Sequence, residues 1–143
     1  MSETDDSPLR SPTGLPGHVL AIYCAALSAS HLIFALYPGL ISEFQRNVLH
    51  FAGFVLLAAA LYPLVPSRKT SGALTALDMT LGVLTAFSAF WFVLNDTRLY
   101  GETQPFGALD WAAAIMLVIG ATEFTRRVAG PVIPILIVIS LTY

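Results

Sequence analysis

The chain has 143 residues, of which 56 % are hydrophobic and 11 % charged, with a mean hydropathy of +0.74 and a formal net charge of −2. Soluble domains carry about 25 % charged residues, so a soluble fold of this size could not hide so much apolar surface, and the bilayer is the natural solvent. Dilute charge without a basic, aromatic-interleaved patch points away from a nucleic-acid partner, and a single cysteine, Cys24, excludes an intrachain disulfide or a multi-cysteine metal site.

Residues 1–14 are acidic and rich in Pro and Ser, and read as a disordered, solvated cytoplasmic tail. A secretory signal would open with a basic region and a short apolar core, and this segment does neither. The first membrane span is predicted over residues 15–37, stopped by Pro38-Gly39. Cys24 lies in this run and reads as packing. His31 sits deep in it, after Ser28, Ala29 and Ser30. An ionisable residue inside a span is a functional candidate, but no carboxylate at its depth completes a relay. A neutral imidazole hydrogen-bonded to a neighbouring helix is the expected state. His18 precedes the span and reads as solvated.

The second span is predicted over 48–65, closed by Pro63 and Pro66, with His50 near its start as an interfacial residue beside Glu43 and Arg46. The third is predicted over 74–94, ending at Asn95-Asp96, and the fourth over 109–124, entered through Pro105 and Gly107. At about 1.5 Å rise per residue each is near the length of a hydrocarbon core of about 30 Å. The runs lack period-two alternation, so helices rather than a barrel are expected. The fold class is therefore all-α: a polytopic membrane bundle of four helices over 15–127, plus a truncated fifth. That fifth segment, 128–143, is apolar with no polar flank and reads as the start of a helix linking to an absent domain.

Small residues at Ala25, Ala26, Ser28, Ala29 and Ser30, at Ala58, Ala59 and Ala60, and at Gly82 and Ala86 predict close helix packing. Pro131 suits a first helical turn, and Pro134 could bend the helix. Tyr37, Tyr62 and Trp111 fall near predicted interfaces, whereas Trp91 falls inside the third span and reads as packing. Arg10, Arg68, Lys69, Arg126 and Arg127 share one side of the membrane and Arg46 and Arg98 the other, which favours a cytoplasmic N-terminus.

An echo links two helix starts: Thr75-Ala76-Leu77-Asp78 and Gly107-Ala108-Leu109-Asp110. Each Asp is expected in a first turn, where the positive end of the helix dipole favours it. The two spans run oppositely, so these carboxylates belong at opposite faces of the membrane and cannot form a catalytic pair. The densest charge cluster after the tail is Glu123, Arg126 and Arg127. Spacings of three and four residues place these charges on one helical face, where each pair contributes about 0.2–0.5 kcal/mol at an exposed surface. The cluster is the candidate site: an interfacial anchor within reach of lipid phosphates, or an interdomain contact. No catalytic, cofactor-binding or metal-ligating set is found in the sequence, and an enzyme is not expected.

Three stretches carry a family resemblance. Arg46-Asn47-Val48-Leu49-His50-Phe51-Ala52-Gly53-Phe54, running on to Leu61-Tyr62-Pro63, resembles the second span of fused permeases of tripartite ATP-independent periplasmic (TRAP) transporters. Leu109-Asp110, an apolar run, then Glu123-Phe124-Thr125-Arg126-Arg127-Val128 is similar to that family's fourth span and its Glu-Ala-Thr-Arg-Arg-Val junction, with Phe124 in place of the expected alanine. Gly130-Pro131-Val132-Ile133-Pro134-Ile135 resembles the start of the helix leading into the large permease domain. The resemblance covers most of residues 40–143. It implies a small-subunit-like scaffold of an ion-gradient-driven transporter for small organic solutes, in the cytoplasmic (inner) membrane of a bacterium or archaeon. Its implied partners are membrane lipids, a large permease domain absent from this sequence, and a periplasmic solute-binding protein. A stand-alone structural or accessory protein with four or five spans is the alternative that the residues leave open.

Overall fold

The computed structural model describes residues 9–66, 71–101 and 105–142. Six helices follow in order: α1 Gly14–Leu36, α2 Glu43–Leu61, α3 Gly72–Leu94, the short α4 Asp96–Tyr100, α5 Ala108–Ala129 and α6 Val132–Thr142. Four of them, α1, α2, α3 and α5, are long and apolar enough to cross a membrane, and no strand occurs among the described residues. The predicted all-helical architecture is what the structure has, and its four long apolar helices fit a multi-pass membrane protein. Arg68 and Lys69, part of the topology argument, lie outside the described residues, as do residues 1–8 of the tail.

The boundaries moved for local reasons. The second helix begins at Glu43 rather than residue 48, because Ser42 and Gln45 close a reciprocal capping box: the Gln45 backbone N–H donates to the Ser42 hydroxyl at 3.1 Å and the Ser42 N–H to Gln45 Oε1 at 3.2 Å. It ends at Leu61, before Pro63 can remove a helical donor. The fourth long helix continues past Phe124 to Ala129, carrying the whole charge cluster on regular helix. It stops at Gly130, whose φ of +81° only glycine adopts without strain, and Pro131 then opens the way into α6.

The core is a three-helix unit in which α3 is central, packed between α2 and α5. In lipid the hydrophobic effect does not press helices together, so close approach of backbones has to supply the attraction. Two crossings show how. A Cβ built on Gly82 would stand 2.5 Å from the Ala59 methyl, and one on Gly120 would stand 2.0 Å from Thr85 Oγ1. Thr85 and Ser88 fold their hydroxyls back onto their own helix, donating to the Leu81 and Leu84 carbonyls at 2.8 Å, so no polar group is stranded at the contact. Val55, Ala58, Ala59 and Phe124 form the buried apolar cluster.

No residue of α1 is buried. It lies on the flank of α2, attached by Tyr23, whose hydroxyl donates to the Gly53 carbonyl at 3.0 Å, and by Leu27 against the face of Gly53. Helix α6 packs mainly on α5 and exposes nearly all its side chains, Ile135, Leu136, Ile139 and Leu141 among them. The outer surface of the bundle is thus apolar, which suits a lipid solvent.

Candidate interhelical charge clusters

The sequence places Asp78 in a first helical turn, as a cap. The structure corrects this. Helix α3 starts at Gly72, so Asp78 falls in the second turn and turns inward, fully buried. A carboxylate sealed there has to be paired. One oxygen, Oδ1, accepts from Arg127 Nη1 at 2.8 Å; the other, Oδ2, accepts from Arg10 Nη2 and from the Leu64 backbone N–H at 3.3 Å.

The same two arginines finish α2. That helix has no basic residue in its last turn, and its final carbonyls need donors. Arg10 Nη1 donates to the Ala59 carbonyl at 3.0 Å, the Arg10 backbone N–H to that of Leu61 at 2.8 Å, and Arg127 Nη1 to that of Tyr62 at 3.2 Å. Arg10, assigned by sequence to a solvated tail, is therefore clipped against the bundle, its side chain only 9 % exposed.

The predicted cluster of Glu123, Arg126 and Arg127 does form, and its members differ. Glu123 accepts from Arg126 Nε and Nη2 and from Arg127 Nε, all at 2.8 Å. Arg126 stays substantially exposed, at 45 %, whereas Arg127 is 2 % exposed and joins Glu123 to Asp78. The Arg127 guanidinium also lies over the Phe124 ring, 4.8 Å from its centroid, a cation–π contact that a desolvated site strengthens. Its Nη2 is buried with no hydrogen-bond partner. Phe124 is thus the floor under the buried arginine, a role its sequence position did not disclose.

The opposite end of the bundle carries a second cluster. Asp110, almost wholly buried, does cap α5: the Gly107 N–H donates to its Oδ2 at 2.8 Å. The rest of its carboxylate is gripped by Arg98, with Nη1 to Oδ2 at 3.0 Å and Nη2 to Oδ1 at 2.6 Å, a two-pronged pair. Trp91 Nε1 donates to Oδ1 at 2.9 Å, so the indole that reads as packing is also a polar clamp. Hydrogen bonds to Asp110 push the Arg98 guanidinium up from its ordinary value, so it stays charged at any pH the protein meets. Arg98 further donates to Asn95 Oδ1 at 3.3 Å, and Asn95 Nδ2 donates to the Trp91 carbonyl at 2.9 Å.

The two clusters mirror each other. The Asp near the start of α3 meets Arg127 at the end of α5; the Asp at the start of α5 meets Trp91 near the end of α3 and Arg98 just beyond it. Thr85 against Gly120 marks the midpoint. The two carboxylates lie at opposite ends of an antiparallel helix pair, as their order in the chain predicts.

His31 and His50 come together between α1 and α2, with His31 Nε2 and His50 Nδ1 2.5 Å apart. The sequence expects His31 to bond a neighbouring helix, and it does. Phe54 stacks near both rings. Two cavities between the helices are mostly apolar: one of about 350 Å³ is lined by Phe44, Phe92, Leu99, Tyr100 and Phe106 among others, and one of about 190 Å³ by Phe54, Phe124 and Val128 among others; a more open one of about 440 Å³ is lined by Thr13 and His18 among others. Comparison with family models, curated proteins and solved structures found no match.

Proposed function

We propose that this chain is the small-subunit-like scaffold region of a TRAP-type, ion-gradient-driven secondary transporter for small organic solutes, with its N-terminus cytoplasmic in the inner membrane. In this reading it stands beside a large permease domain that carries the substrate, and a periplasmic solute-binding protein delivers that substrate. The observation that supports it best is the place of the Glu123–Arg127 junction. Its second arginine is built into the bundle through Asp78, Tyr62 and Phe124, while its first remains exposed beside the sharp turn at Gly130.

That division of labour suits a scaffold. Arg127 fixes the end of α5 relative to α2 and α3, and Arg126 is left for a lipid headgroup or a neighbouring domain. The cavities between the helices are lined mostly by apolar side chains, and substrate recognition is assigned to the partner domain and the binding protein.

The surrounding DNA and a transport assay test this. The proposal expects a long hydrophobic carrier-type reading frame and a solute-binding-protein gene at the same locus. It also expects ion-gradient-driven solute uptake by proteoliposomes holding the whole assembly, with uptake lost when this region is omitted. An intact locus with neither gene, or uptake unchanged without this region, would overturn it in favour of a stand-alone accessory membrane protein.

A further inference from the structure

We propose that His31 and His50 form a shared-proton site that docks α1 on α2 and releases it when a second proton binds. The site is independent of the transporter reading and is defined by the geometry of the two rings.

A backbone carbonyl can only accept. His31 Nδ1 lies 2.7 Å from the Leu27 carbonyl, so Nδ1 carries the His31 proton and the bare Nε2 is an acceptor. The 2.5 Å contact to His50 is then made by the proton on His50 Nδ1. This leaves His50 Nε2 as the bare nitrogen of the pair, where a first added proton binds. The His50 imidazolium keeps its Nδ1–H on His31 Nε2, and the bridge becomes charge-assisted. A second proton has only one place to go, the His31 Nε2 that accepts the bridge. Binding there removes the hydrogen bond and sets two cations face to face.

The ring centroids lie 4.6 Å apart in an edge-on arrangement, with Phe54 the aromatic neighbour of both. On α2, Arg46 stands one turn from His50 on the same side and Glu43 two turns away; on α1, Tyr23 and Cys24 lie about two turns from His31. At the same end of the bundle, Asp96 accepts from Gln45 and Arg98 is taken up by Asp110. Arg46 is the nearest fixed charge by sequence, and a cation there works against a doubly charged pair.

The bridge matters because α1 has so little else. None of its residues is buried, and beyond the Arg10 clip just ahead of it, its other described attachments to α2 include the Tyr23 hydroxyl, the Leu27–Gly53 contact and the His31–Phe54 ring contact. The inner helices have both polar clamps and close crossings; α1 has a single stripe.

The full chain in lipid nanodiscs, with ¹⁵N-labelled histidine, provides the test. The expected result at neutral pH is a ¹⁵N–¹⁵N coupling across the His31–His50 bridge, with His31 carrying its proton on Nδ1. It persists through the first protonation and is lost on the second. His18, whose Nδ1 lies against the Gly14 carbonyl of its own helix, serves as an internal control. Spin labels at Leu36 and Asn47, on a Cys24→Ser background, should move apart over the pH range in which the coupling disappears. A H31Q/H50Q variant, which can still hydrogen-bond but not charge, should show no such movement. Absence of the coupling, or the same acid-induced separation in the double variant, would each overturn the proposal. If the variant fails to insert, the wild-type spectra alone decide.

Discussion

Asp78 of α3 and Arg127 of α5 are 49 residues apart in sequence and 2.8 Å apart in space, each almost sealed from the surroundings. The pair joins the second turn of one antiparallel helix to the last turn of the other, and Arg10 closes it from a third direction.

Breaking this pair from one side leaves a buried charge without its counter-ion. Asp78→Ala should therefore destabilise the bundle by about 3–5 kcal/mol, and Arg127→Ala by a comparable amount. The double variant Asp78→Leu with Arg127→Met, which removes both charges, should cost less than the sum of the single variants. Reversible unfolding in mixed micelles measures all of these. Additive losses would show that the two side chains do not interact.

Two adjacent arginines should behave differently. Arg126 is exposed and, among the described residues, pairs with Glu123 alone, so Arg126→Ala should cost no more than about 0.5 kcal/mol. Its neighbour reaches Asp78, Tyr62 and Glu123. A thermal-shift comparison of the two alanine variants in detergent checks the contrast, which inverts if Arg127 is the solvated member.

The middle of the α3–α5 contact has no room for a methyl group at position 120. Gly120→Ala would bring a Cβ to 2.0 Å from Thr85 Oγ1 and 2.7 Å from Thr85 Cβ, and overpacking of this kind costs about 1–3 kcal/mol. Thr85→Ala would not relieve it, because the Cβ remains. Thr85→Gly combined with Gly120→Ala should restore most of the loss, read out by the same unfolding assay.

At the other end, Trp91→Phe keeps the ring and removes the N–H that Asp110 accepts. A hydrogen bond to a charged group contributes about 1.5–3 kcal/mol, and a loss in that range is expected. On a Trp111→Phe background Trp91 becomes the sole tryptophan, and Asp110→Asn should shift its emission. An unmoved spectrum would mean the indole does not sense the carboxylate.

The spans were readable because an apolar run of membrane length is a strong, local signal, and so was the cap at Asp110, which depends on residues three positions apart. Asp78 was not legible as a core residue because its helix begins at Gly72, two residues before the apolar run that opens at Leu74. Moving a helix start by that much changes a capping residue into a core residue. Which arginine meets which carboxylate was not readable at all. Arg10 lies 68 residues from Asp78, and Arg127 lies 49; such pairings depend on how helices fold back, which no local pattern records. Trp91 was read for its apolar body, and its single N–H found a partner 19 residues away. The adjacent Glu123, Arg126 and Arg127 were correctly grouped, yet spacing alone could not say that one arginine points into the bundle and the other away from it.

The direction in which each carboxylate finds its partners bears on how the chain is made. Synthesis runs from the N-terminus, so a buried acid that depended only on a later residue would wait in the membrane uncompensated. Neither does. Asp78 has Arg10 ahead of it on the ribosome, and Asp110 has both Trp91 and Arg98. Each helix can thus enter the bilayer with its counter-charge already synthesised. Arg127 arrives later, to a carboxylate whose first partner is already in place, and adds a second counter-charge from the far end of α5.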